Sequence, residues 1–189
     1  MQWRGLLVRE PMDILMLDTK QGLEDITSEF HIHLRNLPHW QIGGYTYFVT
    51  FRSELGNLSN DCLMIVKHHI LFDHKRKYNL LFAVIMPDHV HLLIVPIERS
   101  PGKWYNLAEI IKGVKGSSAI NINKLLNRTG TVWQSEYFDR MIRNEQELFE
   151  KWQYMWDNPL KKGLADSASE YSFYVRPEEK DSFILTRAD

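Results

Sequence analysis

Polar and apolar residues alternate along Tyr45-Thr-Tyr-Phe-Val-Thr-Phe51, a run rich in β-branched and aromatic side chains. A pleated, half-buried surface selects this pattern, which predicts the first core strand. From Ser59 to Lys77 the chain lacks Gly and Pro, begins on the capping residues Ser59-Asn60-Asp61 and keeps Leu63, Val66 and Ile70 apolar. A helix is expected there, ending in His74-Lys-Arg-Lys77, whose cations suit the negative end of the dipole. Leu80 to Met86 and His89 to Pro96 are apolar on both faces, as central strands are, and Pro87-Asp88 between them is turn chemistry. The pair reads as a hairpin. Leu107, Ile111, Val114, Ser118, Ile122 and Leu125 trace one helical stripe, with Lys112 and Lys124 off it. Gly113 and Gly116 each cost such a helix about 1 kcal/mol relative to Ala, which predicts a kink or a close neighbour. Thr131 to Asp139 reads as a strand or extended segment. Asn144 caps a last helix with Glu145 and Glu147 in its first turn, and Pro159 marks its expected end.

Strand, helix, two strands, helix, strand is the order of a split βαβ, ferredoxin-like arrangement. The expected class is therefore α+β, an antiparallel sheet with helices on one face and an appended C-terminal helix. At 189 residues the chain fits one ordinary domain. Residues 1–37 are acidic and weakly periodic and read as an N-terminal extension, 38–174 as the domain, and 175–189 as an acidic C-terminal tail. With Cys62 the only cysteine no intrachain disulfide is possible, and the first thirty residues lack the pattern of a secretory signal. A reducing, cytoplasmic setting is expected. The apolar runs are too short to cross a bilayer, so no membrane partner is expected. The net charge of -1 conceals a middle segment, residues 31–164, with 17 basic against 12 acidic residues. That excess is compatible with a polyanionic partner and equally with a solvated basic face.

Candidate chemistry begins at His89 and His91. Residues i and i+2 of a strand project from one face, so the two imidazoles are neighbours and can grip one divalent cation. Burying them unpaired on a central strand would cost a few kcal/mol, which points to a ligand or a partner. Two nitrogen ligands are too few for a closed structural zinc site, and open positions belong to catalytic sites. His68, His69 and His74 lie in a basic helical stretch and are expected to face solvent. On the last helix Leu148, Phe149, Trp152, Met155 and Trp156 gather on one apolar face, with Tyr154 nearly opposite. Tyr154 and Asn158, at i and i+4, share one side within about 6 Å. A phenol and a side-chain carbonyl so placed could serve one metal centre.

These residues carry a resemblance. "MPDHVHLLIVP", then "GTVWQSEYFDRMIRNEQEL" and "YMWDNPLKKGL", with "NLPHWQIGGYTYFVTFR" near the start, is similar to the REP-associated tyrosine transposases, relatives of the single-tyrosine insertion-sequence transposases among the HUH nucleases. The likeness covers roughly residues 36–174. It implies that His89 and His91 hold a divalent metal, that Tyr154 is the nucleophile and that Asn158 is the third ligand, with Asp157 its competitor. Tyr137 is the rival nucleophile.

The implied reaction is cleavage and rejoining of single-stranded or hairpin DNA through a 5'-phosphotyrosine. Tyrosine hydroxyls in general ionise near pH 10, so a cation or base must favour the anion. Mg2+ or Mn2+ is the implied ion, Mn2+ tolerating imidazole better. Lys112, Lys115, Lys124, Arg140 and Arg143 are candidates for the DNA backbone, and Trp104, Tyr105 or Trp133 for base stacking. A monomer or a homodimer is compatible with the resemblance. Two other readings compete. A histidine-triad nucleotide hydrolase would need a third histidine where Leu93 stands, and a domesticated DNA-binding module would use the same sheet without cleaving.

Overall fold

Strand register and helix packing are seen in a computed structural model that describes residues 31–33 and 39–178. The elements are β1 (His31–His33), β2 (His39–Gln41), β3 (Tyr47–Ser53), α1 (Asn60–Asp73), β4 (Tyr78–Ile85), β5 (His89–Pro96), β6 (Glu98–Ser100), β7 (Lys103–Trp104), α2 (Leu107–Leu125), β8 (Trp133–Met141), α3 (Glu145–Lys161) and β9 (Tyr174–Val175). Five of them form an antiparallel sheet in the order β8-β3-β5-β4-β9, and β1-β2 and β6-β7 are separate two-stranded ribbons. The α+β class read from the pattern is the class observed. The predicted extension lies mostly outside the described residues, as does the tail beyond 178, and β9 straddles the 174/175 boundary.

Alternation along the strands divides the interior in two. Tyr47, Val49 and Phe51 of β3 join Val90, Leu92 and Ile94 of β5 on the face covered by α1 and α2. Phe48, Phe82, Val84 and Leu93 point the other way, where α3 contributes Leu148 and Met155. Because strand side chains alternate with period two, this parity assigns His89 and His91 to the α3 face.

Several boundaries differ from the sequence expectation. Helix α1 stops at Asp73, and Lys75 takes a left-handed φ of 60° in the turn that follows. His74, expected in solvent, is 2% exposed, and its Nδ1 accepts the backbone N–H of Leu80 at 2.9 Å. That bond ties the turn to β4, which a continued helix could not do. Leu125 leaves the stripe and is exposed, with Ile110 buried as well. Gly113 has ordinary neighbours in Lys77 and Asp73, whereas nothing approaches the position of a Cβ at Gly116. Helix α3 runs through Pro159 to Lys161, because Asn158 and Pro159 are buried and packing outweighs the local bias.

Trp133, a candidate for stacking a base, is corrected to a core residue. It is buried on the α1/α2 side, edge-on to Phe51 at 4.9 Å, with Nε1 donating to Ser118 Oγ at 3.0 Å. Trp133→Ala should therefore lower stability by about 3–5 kcal/mol. Urea unfolding should show a lower midpoint at an unchanged slope, and a midpoint equal to wild type would contradict the core placement.

Candidate active site

The tip of the β4–β5 hairpin is held by three backbone bonds, Met86 N to His89 O at 2.8 Å, Ser53 N to Asp88 O at 2.8 Å and Leu58 N to Pro87 O at 2.9 Å. This clamp sets His89 and His91 with ring centroids 4.6 Å apart, both 4% exposed. Each ring is oriented through Nδ1. His89 Nδ1 donates to Asp88 Oδ1 at 2.6 Å, since a carboxylate only accepts. His91 Nδ1 lies 2.7 Å from Thr50 Oγ1, directly across the strand pair. With its proton on Nδ1, His89 turns an Nε2 lone pair inward, and His91 does the same in the tautomer whose Nδ1 donates to the Thr50 hydroxyl. Nε2 of His91 is buried and has no hydrogen-bond partner. An orphaned acceptor of this kind is what a metal-ligating imidazole looks like without its ion, and the Asp88 and Thr50 contacts are the oriented outer partners such ligands have.

Helix α3 begins at Asn144, whose side chain accepts from Glu147 N at 2.8 Å. It is docked by stacked rings: Trp152 on Trp156 at 5.3 Å, Trp156 on Tyr174 at 4.8 Å and Tyr174 on Phe82 at 5.4 Å. Docking in this way lays Tyr154 against the histidines, 5.2 Å from His91 and 6.2 Å from Phe48 between ring centroids. The expectation that Tyr154 sits nearly opposite the packed face is corrected. It flanks that face, 45% exposed, while Phe149, assigned to the core, is exposed. Asn158 is buried, with its amide 3.4 Å from His89 Nε2. Nitrogen and oxygen of an amide exchange by a half turn, so a carbonyl oxygen can face the same point as the two Nε2 atoms. Asp157, the competing ligand, is engaged elsewhere, with Gln153 at 2.8 Å and Lys161 at 3.4 Å. Among the described residues no group of three or more His, Cys, Asp and Glu side chains is placed to hold a metal, so an ion here would depend on the amide.

The electrostatics favour neutral imidazoles. Burial pushes His91 down to about 3, and the charges of His89 and Arg52 add to the effect. His89 is lowered too, burial outweighing the upward pull of Asp88, with Arg52 and Lys162 adding to it. Asp88 is held below the usual carboxylate range. Burial pushes it up, but the hydrogen bond and charge of His89 and the charge of Arg52, whose Nη1 is 3.5 Å from Asp88 Oδ2, outweigh that.

The other candidates are scattered. Tyr137 is buried on the α1/α2 face, across the sheet from the histidines, which removes it as rival nucleophile. Lys112 and Lys115 line a cleft of about 310 Å³ between α2 and β8, and Lys115 Nζ donates to the carbonyls of Gln134 and Ser135. Lys124 is exposed near the end of α2, so all three lysines belong to the layer away from Tyr154. Arg140 pairs with Glu147, which also accepts from the backbone N–H of Arg143 at 3.0 Å. Trp104 lies over Gly43, where a Cβ would fall 2.1 Å from the indole, and Arg99 sits 5.6 Å over the Tyr105 ring. Sequence reasoning missed Thr50, Asp88, Arg52 and Lys151. Asp88 adjoins the histidine pair and was legible as more than a turn residue, whereas the others enter only through cross-strand register and helix docking.

Depressed histidines make stability depend on pH with a definite sign. An unfolded imidazole takes a proton near pH 6.5, but folded His91 only near 3, so the unfolded state binds more protons between those values. Stability is then full above pH 6.5 and falls as the pH drops toward 3. In chelator-treated protein the urea midpoint should fall across this window, and His91→Asn should flatten the fall. An identical pH profile in the variant would exclude His91 as a source.

Known proteins share both the sequence and the fold. Residues 59–154, half of the chain, match the family described as "Transposase IS200 like", a span that includes both histidines and ends on Tyr154. A Haemophilus influenzae protein named for the REP-associated tyrosine transposases is 24% identical over 94 residues, 47% of this chain and 53% of that one, so the match spans about half the length of this curated relative. The solved structure of a REP-associated tyrosine transposase bound to a REP hairpin superposes with a TM-score of 0.61 at 19% identity, covering 75% of this chain and 82% of the other. At that identity the likeness concerns the fold. Together with a profile match across half of its length, the shared architecture means that this chain belongs to the IS200-like transposase family.

Proposed function

We propose that this chain is a metal-dependent single-strand DNA endonuclease and strand transferase of the HUH type, acting through a 5'-phosphotyrosine on hairpin-forming repetitive elements. The observation that carries the reading is convergence: the Tyr154 ring lies 5.2 Å from His91, and the Asn158 amide 3.4 Å from His89 Nε2. Family membership supports a transposase activity, and the names of the two relatives, one bound to a REP hairpin, support hairpin DNA as the partner. The lone, buried thiol of Cys62 agrees with a cytoplasmic setting, and among the described residues no helix is long and apolar enough to cross a membrane.

Tyr154, partly exposed at the edge of the site, is the nucleophile. Its Oη forms a bond to phosphorus as the P–O3' bond breaks, and the phenolic proton ends on the departing 3' hydroxyl. The new phosphodiester links Tyr154 to the 5' phosphate and retains the free energy of the bond it replaces, so a later 3' hydroxyl can reverse the step without ATP. His89 Nε2, His91 Nε2 and Asn158 Oδ1 would hold Mg2+ or Mn2+, which when bound supplies a Lewis acid for a nonbridging phosphate oxygen. Asp88 keeps His89 in the tautomer that leaves Nε2 unprotonated, and Thr50, accepting from His91 Nδ1, would do the same for the second ring. Arg52 and Lys151 set positive charge beside the place where the phosphate must lie.

Incubation with a single-stranded REP-type hairpin and Mn2+ should give a protein–DNA adduct that survives SDS in wild type and is absent in Tyr154→Phe. An adduct retained in Tyr154→Phe would remove the nucleophile assignment. Hairpin binding by wild type without any adduct would favour the non-cleaving module. By titration calorimetry the His89→Ala, His91→Ala double variant should lose Mn2+ binding, and undiminished binding would defeat the proposed ligand set.

A further inference from the structure

Phe138 has a side chain that neither packing nor the reaction above accounts for. It lies on β8, an edge strand of the sheet, and is 56% exposed. Along the same strand Gln134, Ser135, Glu136 and Arg140 are exposed and polar, as a solvated edge requires. A phenylalanine in their midst keeps an apolar ring in water and adds to the aggregation hazard of an open edge.

Its neighbours indicate a use. Phe138 pairs with Thr50, and Thr50 with His91, so the three residues form one row across the sheet on one face. The Phe138 ring meets Phe48 edge-on at 6.4 Å, and Phe48 lies 5.3 Å from His91 and 6.2 Å from Tyr154. An aromatic step thus leads from open solvent to the hydroxyl-bearing ring. Cations flank it. Lys151 Nζ sits 5.2 Å over the Phe48 ring, and Arg52 lies opposite His89 one row further along β3.

We propose that Phe138 is a base-stacking platform that holds an unpaired nucleotide beside the phosphate attacked by Tyr154, with Lys151 and Arg52 receiving the flanking phosphates. The assignment rests on the single-strand nuclease reading above and adds to it a reason for strand selectivity. A base within a duplex already has both faces covered, whereas an unpaired base offers one to the ring. Every base has such a face, so the platform tolerates sequence and leaves hairpin recognition to other contacts.

The test uses the full chain and two fluorescent strands about 15 nucleotides long, oligo-dT and an all-abasic strand of equal charge. Phe138→Ala should weaken oligo-dT binding roughly tenfold by anisotropy, as expected when one stacking contact is lost. Binding of the abasic strand should not change, Phe138→Trp should restore oligo-dT binding, and Phe72→Ala, which removes another exposed phenylalanine on α1, should have no effect. Equal losses on both strands, or no loss on oligo-dT, would overturn the proposal. Adduct formation on a hairpin, measured on the same preparations, separates this idea from the one beneath it. Base-dependent binding through Phe138 without any adduct would leave the platform standing and sink the cleavage reading. An adduct formed by a protein in which Phe138→Ala binds oligo-dT like wild type would sink the platform alone.

Discussion

Everything at the site depends on how one helix is fastened to one face of the sheet. Phe82, Trp152, Trp156 and Tyr174 form a run of stacked rings joining β4, α3 and β9, and the Tyr174 hydroxyl donates to the carbonyl of Trp156. Large flat side chains bury much area and admit few arrangements, so they fix both the position of α3 along the sheet and its rotation. That rotation decides that Tyr154 leans over His91 and that Asn158 points at His89. A rotation of α3 by one residue, about 100°, would carry both away from the imidazoles. The stiffest contacts thus lie on the side of α3 that faces β4 and β9, and the side that carries Tyr154 stays partly exposed.

The second constraint is electrostatic. Burial makes the two imidazoles poor proton acceptors, and their closeness to cations, and for His91 to His89, makes them poorer, so they remain neutral with lone pairs available. Asp88 keeps one of them oriented without giving it a charge, and its own position is secured by Arg52. The same positive surroundings that discourage protonation would attract a phosphodiester. One set of charges therefore serves the state of the histidines and the binding of the chemical class they would act upon.

Much of this was legible along the chain. The period of two brought His89 and His91 together, the period of 3.6 put Tyr154 and Asn158 on one side of a helix, and Asn144 marked where that helix begins. Less legible were features that local pattern contradicts. Pro159 reads as a stop, yet the helix continues because Asn158 and Pro159 are buried, while Leu160 and Lys161 beyond them are exposed. His74 reads as part of a solvated basic run, yet its ring accepts a backbone N–H from the next strand. Trp133 reads as a candidate for stacking a base, but the parity of β8 turns it, together with Tyr137 whose segment does read as packed, into the α1/α2 core.

The sequence by itself determined the four long strands and the three helices, their order, the α+β class and the pairings of His89 with His91 and of Tyr154 with Asn158, because each of these follows from the spacing of residues a few positions apart, whereas the short strands β1, β2, β6, β7 and β9 carry no such pattern. Only the tertiary structure decided that the two pairs meet, that α3 covers the face opposite α1 and α2, and that Phe48, Thr50, Lys151 and Phe138 surround the meeting point. Periodicity describes which residues share a face of one element. It holds no information on the distance or rotation between elements, which are fixed by side-chain packing between residues far apart in the chain, 41 positions for Thr50 and His91 and 69 for His89 and Asn158.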